Sequence, residues 1–135
     1  MIQRINGRIV AKGIGEGNAL VTHQPLSFLG GVNPKDGFIQ DPKHELYGES
    51  IAGKVLVFPQ SKGSTVGSYV MYQLKKNGKA PTAIINVSSE TIVAVGAIIS
   101  NIPLIHKLDV DPLRAIKSGS HVLVNCNEGF IEVET

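Results

Sequence analysis

Lys62-Gly63-Ser64-Thr65 sets an ammonium group, a backbone without a side chain and two hydroxyls next to one another, with further hydroxyls at Ser61 and Ser68. The chemistry this suits is the holding of an anion. If a helix begins here, its first turn leaves backbone N–H groups without intrahelical partners, and the aligned peptide dipoles favour negative charge at that end. A carboxylate or phosphate would fit, with a serine hydroxyl held beside it. The plainer reading is that Ser and Thr ahead of a helix serve only as caps. A Walker phosphate loop is excluded, because GxxxxGK[ST] is absent.

The elements around the block can position it. Lys54-Val55-Leu56-Val57-Phe58 is an almost unbroken apolar run and reads as a buried strand that Pro59 ends. Gln60 to Gly63 form a short polar loop, and Ser64 or Thr65 is placed to cap a helix. Val66, Tyr69, Val70, Gln73 and Leu74 then recur at spacings of three and four. Lys75 and Lys76 suit the carbonyl end of that helix, and Gly78 is a good terminator.

A length of 135 residues predicts one domain, residues 1–135, able to bury a real core. No apolar run approaches the roughly 18 residues of a membrane span, and MIQRINGRI lacks a signal-peptide core, so a cytoplasmic protein is expected. The formal net charge is only +2, with Lys and Arg scattered, which argues against nucleic-acid binding. Cys126 is the only cysteine, so neither an internal disulfide nor a self-contained thiolate metal site is expected, and an inert thiol is its default reading. His23, His44, His106 and His121 show no ligand spacing and read as surface or turn residues.

Elsewhere, Arg8–Ala11 and Ala19–Thr22 look like strands around Gly13-Ile14-Gly15-Glu16-Gly17. With no helix following, this is a glycine-lined turn or bulge rather than a dinucleotide loop. His23–Ser50 is rich in Pro and Gly and largely irregular, with a short strand at Phe38–Gln40. Such a long loop tends to be functional or tied to a partner. Its Pro25-Leu26-Ser27-Phe28-Leu29-Gly30-Gly31 segment is apolar, which fits either core packing or burial against a second protein. Thr82–Val87 is a second buried strand. Ser88-Ser89-Glu90 can cap a helix over Thr91–Ser100, and Ile102–Ile105 is a third strand. Asp111-Pro112 opens one helical turn. His121–Asn125 and Phe130–Val133 flank Asn127-Glu128-Gly129, a hairpin signal. The fold predicted is mixed α/β, with a partly parallel central sheet, helices packed on it and β-hairpins at both ends.

PLSFLGGVNPKDG, then LYGESIAGKVLVFPQSKGSTVGSYVMYQLKKNGKAPTAIINV, then VAVGAIISNIPLI resemble the small subunit of aconitase-X-type dehydratases, and the likeness covers nearly the whole chain. The resemblance implies the swivelling β/β/α domain of aconitases, detached as its own chain. It implies as partner a large subunit carrying a 4Fe-4S cluster on that subunit's cysteines, with no metal held here. The implied reaction is dehydration of (R)-5-phosphomevalonate to trans-anhydromevalonate 5-phosphate in isoprenoid biosynthesis. A sister branch dehydrates cis-3-hydroxy-L-proline.

By the same resemblance the catalytic base is the serine of the KGST block, Ser64. Lys62 is expected to assist electrostatically, together with the N–H groups of Gly63, Ser64 and Thr65, and Gly63 keeps the approach open. Ser27, Gly30 and Gly31 are expected as loop contacts to substrate or large subunit, with packing as the competing role for each. Two further readings stand beside these. One is a phosphohistidine-type swivelling carrier, which would need a histidine where Ser64 stands. The other is an anion-binding module that only stabilises a larger subunit.

Overall fold

Alternation within the apolar runs decides which way each side chain faces, since successive residues of a strand point to opposite sides. In the computed structural model, which describes residues 1–135, Val55–Phe58 (β4) and Ala83–Asn86 (β5) are buried on both sides. Leu56, Phe58 and Ile84 enter one core, while Val55, Val57, Ala83 and Ile85 enter another on the opposite face.

The first core lies under two helices, Gly67–Lys76 (α1) and Thr91–Ser100 (α2). Val70, Met71 and Leu74 of α1 and Val93 and Ala97 of α2 fill it. The helices cross closely at Gly96, where a Cβ would stand 2.3 Å from Met71 Sδ. The irregular segment also contributes, through Leu26, Phe28, Val32, Ile39 and Leu46. Its apolar residues are therefore mostly core, apart from exposed Leu29, Phe38 and Tyr47. The strand expected at Phe38–Gln40 shrinks to isolated bridges, Val32 with Ile39 and Phe38 with Ser50.

The second core lies between two halves of one eight-stranded sheet. Its other strands are Ile2–Asn6 (β1), Arg8–Ala11 (β2), Ile14–Val21 (β3), Leu104–His106 (β6), His121–Asn125 (β7) and Phe130–Glu134 (β8), in the order β1-β8-β7-β3-β4-β5-β6-β2. β3 through β6 are parallel neighbours, whereas β1, β8, β7 and the first part of β3 form an antiparallel half. Ile5, Val122, Val124, Ile131 and Val133 of that half meet Val55, Val57, Ala83 and Ile85 of the parallel half. A short helix, Pro112–Ala115 (α3), capped by the Asp111 carboxylate, leads into β7.

The mixed α/β class is as predicted, but three local expectations change. Only the C-terminal hairpin, β7 with β8, exists. At the N-terminal end β1 pairs with β8 and β2 with β6, so no hairpin forms there. Strand β1 had no signal of its own. Pairing makes it a strand, with Arg4 donating to Glu132 at 3.0 Å and lying 4.0 Å above the Phe130 ring. Thirdly, Gly15 and Gly17 are not in a turn: they lie inside β3, where a Cβ would meet Thr82 O at 2.1 Å and Gly53 O at 2.8 Å. No helix is long and apolar enough to cross a membrane.

Candidate active site

The parallel strands β4 and β5 end at the same edge of the sheet, where α/β proteins gather their ligands. After β4 the chain stays sheet-like for two residues. Leu26 N donates to Gln60 O (3.3 Å) and Lys62 N donates to Leu26 O (3.1 Å), so the irregular segment clamps the base of the loop. Gly63 then turns the backbone at φ +94°. A Cβ there would be 2.7 Å from Ser27 Oγ, so glycine is required both for the turn and for the approach of Ser27.

Beyond Gly63 the loop tightens into α1. Val66 N donates to Ser64 Oγ (3.1 Å), Gly67 N to Ser64 O (2.9 Å), and both Ser68 N and Ser68 Oγ to Thr65 O (3.2 and 2.9 Å). The expected capping role of Ser64 or Thr65 is not filled. The cap position is Val66, in helical conformation and with no side-chain hydrogen bond. The Ser64 hydroxyl is exposed and keeps its proton free to donate, and Thr65 Oγ1 makes no bond within the chain. The amides of Gly63, Ser64 and Thr65 also have no acceptor within the chain. Three consecutive free N–H groups and a serine hydroxyl thus stand just ahead of a helix N-terminus, a concavity suited to negative charge.

The other candidates divide. Ser27, with Oγ donating to Leu29 O at 2.9 Å, lies against Gly63 of the serine loop. Gly31 is packing: it is buried, and a Cβ there would stand 2.1 Å from Ser27 O. Gly30 is exposed at φ +83° with open space beside it. Lys62 is exposed and in no ion pair; Arg4 pairs with Glu132, and His121 Nε2 meets Glu16 at 3.0 Å. It lines a cavity of about 280 Å³ on the flank of the loop, with Gln24, Pro25, Asp41, Lys43 and His44. Ser61 and Ser68 are spent on structural bonds.

Glu90 is the residue that sequence reasoning undervalued. Its carboxylate accepts from Ile92 N (2.9 Å) and Val93 N (3.1 Å), capping α2 as expected, and also accepts a hydrogen bond from the buried Ser61 hydroxyl. One side chain therefore ties the start of α2 to the loop that carries Ser64. The adjoining turn is fixed in the same way. Ser89 N donates to His106 Nδ1 (2.8 Å) and Ser89 Oγ to Asn86 Oδ1 (2.9 Å), while Asn86 Nδ2 reaches Phe58 O (3.0 Å). Burial, with Lys107 and Arg8 nearby, lowers the pKa of His106, in keeping with a neutral ring acting as acceptor. Replacing Glu90 by alanine strands the Ser61 hydroxyl and two helix amides. Urea unfolding should show a loss of about 2 kcal/mol, and Glu90→Gln, which keeps an acceptor, about half of that.

The residues here do not make a metal centre. No three His, Cys, Asp or Glu side chains converge, and burial pushes the Cys126 thiol up to about 12. Nor is an imidazole free beside the loop. Buried His44 directs Nε2 to Pro25 O (3.1 Å) and accepts from Leu46 N at Nδ1 (3.1 Å).

An antiparallel half-sheet against a parallel one, helices on the far face and a hydroxyl-bearing loop at the strand ends define a swivelling β/β/α domain. The chain belongs to the aconitase X swivel domain family, which matches residues 4–133. It is 58% identical over 130 residues to the phosphomevalonate dehydratase small subunit of Methanosarcina acetivorans, covering 96% of this chain and 90% of that one. The protein of the same name from Thermococcus onnurineus is 55% identical over 131 residues, covering 97% and 98%. The crystal structure of Thermococcus kodakaraensis aconitase X in its holo-form superposes with a TM-score of 0.93 at 50% identity, covering 98% of this chain and 99% of that one.

Proposed function

We propose that this chain, as one swivel unit over residues 1–135, is the small subunit of a cytoplasmic hydro-lyase. The reaction is dehydration of (R)-5-phosphomevalonate to trans-anhydromevalonate 5-phosphate, and Ser64 is the proton acceptor. The observation that carries the reading is near-full-length identity of 52 to 58% to archaeal proteins named phosphomevalonate dehydratase small subunit.

Dehydrating a β-hydroxy acid removes a proton α to the carboxylate while the hydroxyl leaves. A serine hydroxyl is a weak acid and must give its own proton to solvent before it can take one from substrate, so its oxyanion must be stabilised where it forms. Val66 N already donates to Ser64 Oγ, and the free amides of Gly63, Ser64 and Thr65 and the positive end of α1 add to that stabilisation. The Lys62 ammonium adds positive potential to the same loop. Ser27, pressed against Gly63, borders the approach of substrate, and exposed Gly30 is the further loop contact in this reading. This chain offers no Lewis acid for the departing hydroxyl. An aconitase-X-type large subunit bearing a 4Fe-4S cluster would supply it.

A partner is also supported by what stays uncovered. The outer face of α2 exposes Val95, Ile98 and Ile99 on a helix with no charged residue. Around the serine loop, Leu29, Val66 and the stacked pair Tyr69 and Tyr72 are exposed as well. Exposed apolar side chains in this number fit a protein interface.

Anaerobic reconstitution with the large chain tests the reading. The small chain alone is expected to give no turnover, and the assembled pair is expected to dehydrate phosphomevalonate. Turnover by this chain alone, or a preference of the pair for cis-3-hydroxy-L-proline, would overturn it.

A further inference from the structure

The cavity beside the serine loop is lined by two lysines and a single carboxylate. Lys43 and Lys62 come from segments distant in sequence and line the same space, and neither is in an ion pair. Gln24 brings a third donor. Its Oε1 accepts from Glu45 N (2.9 Å), which leaves its amide N–H groups without a partner in the chain. One carboxylate opposes them, Asp41, whose Oδ1 accepts from Lys43 N (3.0 Å) and thereby fixes the backbone of that lysine.

The walls are held although none lies in a helix or strand. The Glu45 carboxylate accepts from Thr22 Oγ1 and from His23 N, the latter at 2.9 Å. The His44 ring braces Pro25 against Leu46. These bonds lower the pKa of Glu45 from its ordinary value, the Thr22 hydroxyl contributing most and the His23 amide next. Fixed walls and long, mobile ammonium arms describe a receptor for a compact, highly charged anion.

We propose that Lys43 and Lys62, with the Gln24 amide, form the subsite for the phosphate group of the substrate. Lys62 is two residues from Ser64, which limits their Cα separation to about 7 Å. A short substrate can therefore reach from the hydroxyl of Ser64 to the cavity. The inference rests on the reading of Ser64 as base for a phosphorylated substrate, and it assigns the recognition of that phosphate to this chain.

The test uses the assembled two-chain enzyme. Lys43→Ala should raise KM for phosphomevalonate roughly 10- to 100-fold with kcat within about threefold, the loss of one charged hydrogen bond to bound substrate. Lys43→Arg should restore most of it. Inorganic phosphate, tested as a competitive inhibitor, should lose potency in Lys43→Ala by a similar factor. An unchanged KM and phosphate inhibition in Lys43→Ala, or a fall in kcat with KM unchanged, overturns the subsite. The two readings separate cleanly. If Ser64 is not the base, Ser64→Ala turns over normally while the Lys43 dependence of phosphate inhibition persists. If the cavity is not the subsite, Ser64→Ala is inactive and Lys43→Ala binds normally.

Discussion

Ser64→Ala should lower kcat of the assembled enzyme by about 1,000-fold, within the range a positioned general base contributes. KM should change little, because the amides of Gly63, Ser64 and Thr65 survive the substitution. Nor should folding suffer. The side chain is exposed and receives one hydrogen bond, from Val66 N, and an exposed amide that loses such a partner is solvated by water. Loss of turnover with intact assembly and an unchanged melting curve is thus specific to the chemistry. Normal turnover in Ser64→Ala, with normal assembly, would reduce the loop to an anion-binding module and remove proton transfer from it. Single-turnover measurements separate the two arms, since slow product release would otherwise hide a partial effect.

Gly15→Ala should be a severely damaging single methyl group. Gly15 lies within β3, and its missing Cβ would fall 2.1 Å from Thr82 O and 2.8 Å from Thr82 C. The obstacle is backbone at the entrance to β5, so no side chain can swing aside. Relief requires the antiparallel half of the sheet to lift away from the parallel half, opening the core where Val122 and Val124 meet Val55 and Ala83. Overpacking of this kind costs about 3 kcal/mol when the neighbours are rigid. Urea midpoints at constant slope give the number. Gly30→Ala is the control, with open space and a strained φ of +83°, and should cost about 1 kcal/mol. Similar losses in the two variants would show that the halves do not pack rigidly at Gly15.

Much of the scaffold was legible because its causes are local. The unbroken apolar runs of β4 and β5 report burial on both faces, and the extent of α2 over Thr91–Ser100 follows from Glu90 and the apolar residues after it. The turn at Asp111-Pro112 and the C-terminal hairpin were written in capping and turn residues. The place of Ser64, between a strand and a helix start, was readable for the same reason. β1 was not readable, because IQRIN has no strand alternation and extends only against β8. The glycines of β3 read as a turn because a turn and a close crossing of strands both demand a missing side chain, and only the position of Thr82 tells them apart.

The class of fold, the loop and the hydroxyl it presents are readable along the chain, since each depends on residues within a turn or two of one another. Packing between distant segments settles which hydroxyl protons remain free, directing that of Ser61 to Glu90 across 29 positions and leaving that of Ser64 without an acceptor. It alone brought Ser27 against Gly63 and set Lys43 beside Lys62. The physical reason is the same in each case. Such contacts are fixed by packing between segments far apart in the chain, and no local propensity records them.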